Sequence, residues 1–213
     1  VREGYKVVAV VSALGRTTDR LLGQARTFCP EPDPAALAAL LATGEATSVA
    51  LLCLALGRAG VPATALDPAR GGLRTEGPIL DATPRALDVG AIARVLAERP
   101  VAVLPGFIGR SEDGATSLLG RGGSDFTALF VAREIGATRC RLVKDVDGLY
   151  ERDPSLPGTP PRRYSAVSWD DALKLDGRIV QHKAVRFARG HGLVFEVAAA
   201  GARAVTEVGA GPT

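Results

Sequence analysis

The stretch Leu118-Leu119-Gly120-Arg121-Gly122-Gly123-Ser124-Asp125-Phe126-Thr127-Ala128 holds the residue types best suited to gripping an anion. Glycines let backbone N–H groups come close to a ligand, because no Cβ stands in the way. The apolar run from Phe126 to Ile135 predicts a helix. Its first turn would offer unpaired N–H donors and the positive end of its dipole. Arg121 adds a planar fork that meets a carboxylate or phosphate through two parallel hydrogen bonds. Ser124 and Asp125 stand where an N-cap is wanted. An ordinary capped loop would carry the same glycines and the same cap. The arginine just before them is what turns the reading toward an anion site.

Other stretches place polar groups at strand ends. Lys6 to Ser12 is a continuous apolar run, the mark of a strand buried on both faces of a parallel sheet. It ends in Ser12-Ala13-Leu14-Gly15-Arg16-Thr17-Thr18-Asp19, followed by a helix through Leu21, Leu22 and Ala25. Thr18 or Asp19 would cap that helix; hydroxyls at the carboxyl end of a central strand are also where open α/β sheets bind ligands. Thr43-Gly44-Glu45 reads as a break between a short helix, Ala35 to Ala42, and a long, buried one, Ala46 to Ala59. Glu45 would then lie at a helix mouth, where the dipole favours a carboxylate. Arg139 to Tyr150 predicts a strand emerging into Asp145-Val146-Asp147-Gly148. That is a turn signal, or a pair of carboxylates for a metal, although the further acids of a calcium loop are missing.

The elements that must position these groups follow from local pattern. Cys29-Pro30-Glu31-Pro32-Asp33-Pro34 is a stiff loop, and Val61 to Asp67 a short strand. Gly71 to Arg85, rich in Gly, Pro and Thr, predicts a hairpin flap over a site. Val89 to Glu98 is an amphipathic helix, and Val101 to Leu104 a buried strand that stops at Pro105-Gly106-Phe107-Ile108-Gly109. Arg110 to Thr116 is a polar, mobile loop. Beyond Tyr150 come a Pro-rich excursion from Asp153 to Pro161, helices at Ser168–Leu175 and Ile179–Arg189, a strand at Leu193–Val197 and an uninformative tail from Ala198. His182 and His191 have no acid or nucleophile at useful spacing and read as structural. Val1-Arg2-Glu3-Gly4 resembles the end of a helix, which implies a strand–helix unit upstream.

Bulk composition narrows the class. With 213 residues, 46% hydrophobic and 23% charged, the chain suits one soluble globular domain. A net charge of +3 without a basic run or basic-aromatic interleaving gives no support to a nucleic-acid partner. Cys29, Cys53 and Cys140 match no disulfide or metal spacing and read as buried thiols of a reducing, cytoplasmic compartment. The longest apolar run, Val49 to Leu56, is too short to span a bilayer, so no membrane partner is expected.

Taken together, the turns at Val11–Asp19, Thr43–Glu45, Gly106–Gly109, Leu119–Asp125 and Asp145–Tyr150 resemble the amino-acid kinase superfamily, and most closely the aspartokinases. The resemblance runs in order from Val7 to Val197. It implies an α/β fold, a three-layer αβα sandwich with a mainly parallel central sheet, that binds ATP with Mg2+ and L-aspartate. The implied reaction carries the γ-phosphoryl group to the β-carboxylate, a step toward lysine, threonine and methionine. Thr18, Glu45, Arg121, Gly122, Gly123 and Ser124 would hold aspartate. Ser12, Gly15, Lys144, Asp145, Tyr150, Arg152, Arg178 and Ile179 would face the nucleotide, and Asp125 and Arg178 would act on the transferred phosphoryl. The resemblance also implies a homodimer or fusion to another pathway enzyme.

Departures from the family pattern are specific. No Lys-Phe-Gly-Gly-type turn is present, as though the opening strand–helix unit were missing, and Gly4-Tyr5-Lys6 does not substitute for it. Ser155 stands where an arginine is usual, with Arg152 nearby to compensate, and Arg178 replaces a phosphate-facing lysine. Residues 1–213 are expected to contain no paired ACT regulatory region, so feedback control by lysine or threonine does not follow from the resemblance. Two rival readings stay open: a catalytically silent domain that binds amino acid or nucleotide, and a related kinase acting on another carboxylate or on UMP.

Overall fold

A computed structural model describes residues 4–66, 72–152, 156–159, 161–175 and 177–209. The chain divides into two compact units, Val1–Thr127 and Ala128–Thr213. In the first the order is β1 (Val7–Val11), α1 (Thr17–Phe28), α2 (Pro34–Arg58), β2 (Ala63–Ala65), β3 (Arg74–Glu76), β4 (Thr83–Ala86), α3 (Val89–Glu98), β5 (Val101–Pro105), β6 (Ile108–Arg110) and β7 (Thr116–Leu118). The unit boundary falls inside the next helix, α4 (Gly123–Glu134).

Strand β5 is buried along its whole length because it lies between β1 and β2, parallel to both. Val101 and Val103 pack on Val49 of α2, with Val7, Ala9 and Val11 of β1 against them. The expectation for β1 needs correction: its residues are only half-buried, since it is an outer strand of this sheet with β5 as its neighbour. A second sheet, in the order β4-β3-β6-β7, holds the expected hairpin, β3 with β4; Gly71 lies outside the described residues. The polar loop expected at Arg110–Thr116 is the turn of a second hairpin, β6 with β7, and only its end residues Arg110 and Thr116 lie in strands; the hairpin is tied to β3 by a buried contact between the Thr75 and Ser117 hydroxyls at 2.6 Å.

The largest difference lies in α2. Thr43-Gly44-Glu45 does not break the chain; a single helix of 25 residues runs through it, N-capped by Asp33, whose side chain accepts the Ala36 N–H at 2.9 Å. Glycine costs a helix roughly 1 kcal/mol against alanine, but here it permits a close approach. A Cβ on Gly44 would stand 3.0 Å from that of Ala13 and 3.3 Å from Thr17 Cγ2. Nor is the second half of α2 buried all round, for Leu51 and Leu54 are exposed. Joined into one element, α2 is long and apolar enough to pass for a membrane span by length and composition. Its inner face instead packs Leu37, Ala38 and Leu41 on Leu21 of α1 and Leu118 of β7, the contacts of a core helix.

The second unit continues through β8 (Arg141–Lys144), β9 (Ala166–Ser168), α5 (Trp169–Ala172), α6 (His182–Gly190), β10 (Phe195–Ala199) and β11 (Thr206–Gly209). Its sheet runs β8-β10-β11-β9, with β10 and β11 antiparallel and the two outer pairs parallel. Strands β9 and β11 were not anticipated, and the tail from Ala198 is therefore structured as far as Gly209. Both helices are shorter than expected: α5 stops at Ala172, and α6 begins at His182 rather than Ile179. The histidines are structural, His182 Nε2 lying 2.8 Å from the Leu175 carbonyl and His191 Nδ1 2.9 Å from that of Phe187. The thiols are free but not buried as expected: Cys29 is exposed, and Cys53 and Cys140 are half-buried. Residues 1–3, 153–155 and 160 lie outside the described residues, and with them most of the expected N-terminal helix end, Ser155 and part of the Pro-rich excursion.

Candidate active site

In the first unit the site is built at the carboxyl ends of β1 and β5, where parallel strands leave their turns open. The Gly106 N–H, one residue past β5, donates to the Val11 carbonyl at 2.8 Å and sets the two turns side by side. Two residues beyond β1, the Ala13 N–H donates to Glu45 Oε1 at 3.3 Å. Glu45 is only 2% exposed, and its other oxygen, Oε2, is buried without a hydrogen-bond partner among the described residues. Burial raises the pKa of this carboxyl above 4.5, with the Ala13 N–H pulling the other way. The helix-mouth account of Glu45 is thus corrected: mid-helix, it gains nothing from the dipole. It is a buried acid short of one donor, and leaving such a group unpaired costs about 1–3 kcal/mol.

Thr18 is half-buried in the first turn of α1, and Ser12 and Gly15 are exposed on the turn before it. Neither Thr18 nor Asp19 caps α1; the N-cap is Arg16, which pairs with Asp19 at 3.5 Å. Both residues already lie inside the helix.

The glycine turn has the expected character and starts its helix earlier. Gly120 and Gly122 adopt φ +68° and +74°, the left-handed region open to glycine. The Phe126 N–H donates to the Gly122 carbonyl at 3.0 Å, and α4 begins at Gly123 rather than Phe126. Ser124 and Asp125 are therefore in the first turn instead of at the N-cap, and both are half-buried. Ser124 seats the turn on β5, for a Cβ on Gly106 would fall 2.8 Å from both Ser124 Cβ and Oγ. Glu45 and Ser124 are thus joined through the paired ends of β1 and β5. Arg121 is exposed and enters no ion pair among the described residues, which leaves its guanidinium available to a ligand.

One residue here escaped the sequence reading. Phe107 has φ +67°, strained for a side chain of its size. Its N–H donates to Thr127 Oγ1 at 3.1 Å and its carbonyl accepts the Leu119 N–H at 2.8 Å. A Cβ on Gly123 would fall 2.8 Å from the Phe107 ring, so the ring lies directly under the start of α4. The neighbouring glycines in Pro105–Gly109 were the available signal. Gly120 is equally constrained: a Cβ there would come 2.3 Å from Asp81 Oδ1 at the tip of the β3–β4 hairpin. Gly120→Ala is expected to lower unfolding stability by about 1–3 kcal/mol, from the left-handed backbone and the clash together. A denaturant midpoint unchanged from that of the parent chain would show that the turn relaxes freely.

In the second unit a cavity of about 360 Å³ brings together Asp145, Tyr150, Arg152, Arg178 and Ile179. Val185, Phe195 and Val208 supply apolar wall, and Glu151 and Lys174, not foreseen from sequence, add charge. Lys144 is half-buried and is not among the lining residues, while Ser12 and Gly15 belong to the first unit. The Tyr150 hydroxyl donates to Asp147 Oδ1 at 2.5 Å, which raises the phenol's pKa above 10.0. Arg163 holds the same loop, with Nη1 donating to the Asp147 carbonyl at 3.2 Å. An apolar wall with a few cations and hydrogen-bonding groups suits a base and its phosphates. Among the described residues no group of three or more His, Cys, Asp or Glu could hold a metal ion. A Mg2+ entering with ATP would take its ligands chiefly from phosphate oxygens and water.

Mixed, mainly parallel sheets with helices against them, and glycine turns at the strand ends, are the amino-acid kinase fold and agree with the three-layer αβα expectation. The sequence pattern of the Amino acid kinase family matches residues 1–197, and the chain belongs to that family. It is similar to the aspartokinase of Thermus thermophilus, 36% identical over 198 residues, which are 92% of this chain and 49% of that protein. The crystal structure of aspartate kinase from Synechocystis superposes with a TM-score of 0.81 at 32% identity, covering 100% of this chain and 36% of that one. E. coli aspartokinase III in complex with aspartate and ADP (R-state) does so with a TM-score of 0.72 at 26% identity, covering 92% and 46%. The chain spans about half the length of the curated relatives it matches.

Proposed function

We propose that residues 1–213 form the catalytic domain of an aspartate kinase, which transfers the γ-phosphoryl group of ATP to the β-carboxylate of L-aspartate. The observation that carries this reading is Glu45, a buried carboxylate with one oxygen lacking a donor among the described residues. An ammonium group is the complement of such an acid, and a guanidinium that of a carboxylate. Aspartate carries an ammonium and two carboxylates, so Glu45 would take the amine and Arg121 one carboxylate, with Thr18 and the amides of Gly122, Gly123 and Ser124 around them. The other carboxylate is left to react.

Its oxygen forms a bond to the γ-phosphorus while the bond to the β,γ-bridging oxygen breaks, and ADP leaves with that electron pair. No proton moves, so no general base is required. Such transfer depends on positioning and on neutralising phosphate charge. Arg178, Arg152 and Tyr150 would serve the phosphates and base, with Asp145 toward the nucleotide, while Asp125 orients groups on the acceptor side. Mg2+, when bound, neutralises phosphate charge. The likeness to a protein solved with aspartate and ADP supports both ligand assignments.

A coupled ADP-release assay with L-aspartate, L-glutamate and UMP tests the proposal, run beside calorimetric titration of the same ligands. Aspartate alone should support ADP release. Preference for glutamate or UMP would overturn the acceptor assignment, and saturable aspartate binding without any ADP release would make the chain a silent binding domain.

A further inference from the structure

Thr206 lies on β11, beyond the stretch matched by the family, and is fully buried. Its hydroxyl accepts the Leu149 N–H at 3.0 Å and donates to the Tyr164 carbonyl at 2.5 Å. A hydroxyl has one proton to give, and here it is committed to Tyr164. The Tyr164 N–H in turn donates to the Leu149 carbonyl at 2.9 Å. The backbone of Leu149 is therefore clasped on both sides, through Thr206 and through Tyr164. Leu149 lines the cavity of the second unit, in the same loop as Asp145 and Tyr150. Val208, two residues along β11 and so on the same face of the strand, lines it as well.

The fit over the hydroxyl is close. A Cβ on Gly148 would fall 2.4 Å from Thr206 Oγ1 and 2.9 Å from Arg163 Nη1, so only glycine lets the loop lie flat there. The Asp-Val-Asp-Gly turn thus owes its path to a hydroxyl supplied by the last strand.

We propose that Thr206 is a positioning residue for the nucleotide: it touches no ligand, but it fixes the loop that presents Asp145, Leu149 and Tyr150 to the cavity. The proposal rests on the reading of that cavity as the nucleotide site. Thr206→Val keeps the side-chain shape and removes the hydroxyl, leaving the Leu149 N–H and the Tyr164 carbonyl without their partner. Titration of the full chain should show the Kd for Mg·ADP raised about tenfold, the worth of one internal hydrogen bond. The Kd for L-aspartate should stay within about twofold, and Thr206→Ser should restore nucleotide binding.

Wild-type affinity for Mg·ADP in Thr206→Val, equal loss for both ligands, or failure of serine to restore binding would each overturn the role of Thr206. A parent chain that does not bind Mg·ADP would remove the nucleotide reading itself, and this role with it. Hydrogen exchange on the parent chain keeps the test open should Thr206→Val not fold. The Leu149 amide should be strongly protected, and exchange at the rate of a free amide would contradict the clamp.

Discussion

Glu45→Gln is expected to weaken L-aspartate binding by about 30–150-fold, the worth of roughly 2–3 kcal/mol for a charge-assisted hydrogen bond to an ammonium. The same change should make the ligand-free chain more stable at neutral and alkaline pH. Burial holds the folded pKa of Glu45 above its ordinary value of 4.5. Its protonated form therefore contributes stability in full below about that value, and the contribution is lost as pH rises through the higher folded pKa. Glutamine has no such loss. The difference in unfolding free energy between Glu45→Gln and the parent should thus shift in the mutant's favour across that window and level off above it. Chemical unfolding of both proteins from acid to alkaline pH reads this directly. A pH-independent difference would mean that Glu45 finds a compensating partner within the fold, and the ammonium assignment would lose its physical basis.

Arg121→Lys is the second large effect. Lysine keeps the charge but loses the planar fork, so one of two parallel hydrogen bonds to a carboxylate goes. The KM for aspartate should rise about 10–100-fold, while the KM for ATP moves by less than about threefold. Arg121 is exposed and pairs with no described acid, so the fold should not suffer. Equal rises in both KM values would show that the glycine turn does not hold the acceptor.

Much of this arrangement is legible in the sequence because it is local. Val7–Val11, Val89–Glu98 and Val101–Pro105 form the elements that their apolar periodicity indicates. The glycine turn at Gly120–Gly122 takes the left-handed backbone that only its residue types make easy. What escapes is set by partners distant in the chain. Strands β6, β7, β9 and β11 are three or four residues long, too short for a pattern to mark them in the sequence; the strands beside them define them. Gly44 reads as a helix breaker by propensity, yet α2 runs through it, and glycine is suited to the position because a Cβ there would stand 3.0 Å from that of Ala13 in the turn after β1.

The site divides in the same way. Asp145, Tyr150, Arg152, Arg178 and Ile179, which the family resemblance would turn toward a nucleotide, line one cavity, whereas Lys144 is not among its lining residues. From sequence Glu45 reads as a helix-mouth acid, whereas it lies inside α2 and is buried. Its character comes from burial and a backbone donor at Ala13, both consequences of tertiary packing. Phe107 carries no sequence signal beyond the glycines near it, Gly106 and Gly109, and Thr206 carries none. A strained backbone and a shared hydroxyl become visible only once the strands are paired.

The most direct test compares L-aspartate with succinate, which keeps both carboxylates and lacks the ammonium. Calorimetric titration of the full chain should show a strong preference for aspartate that collapses in Glu45→Gln, with succinate affinity changing little. A preference of the same size in both proteins would contradict the assignment of Glu45 to the amine, and with it the acceptor site described above.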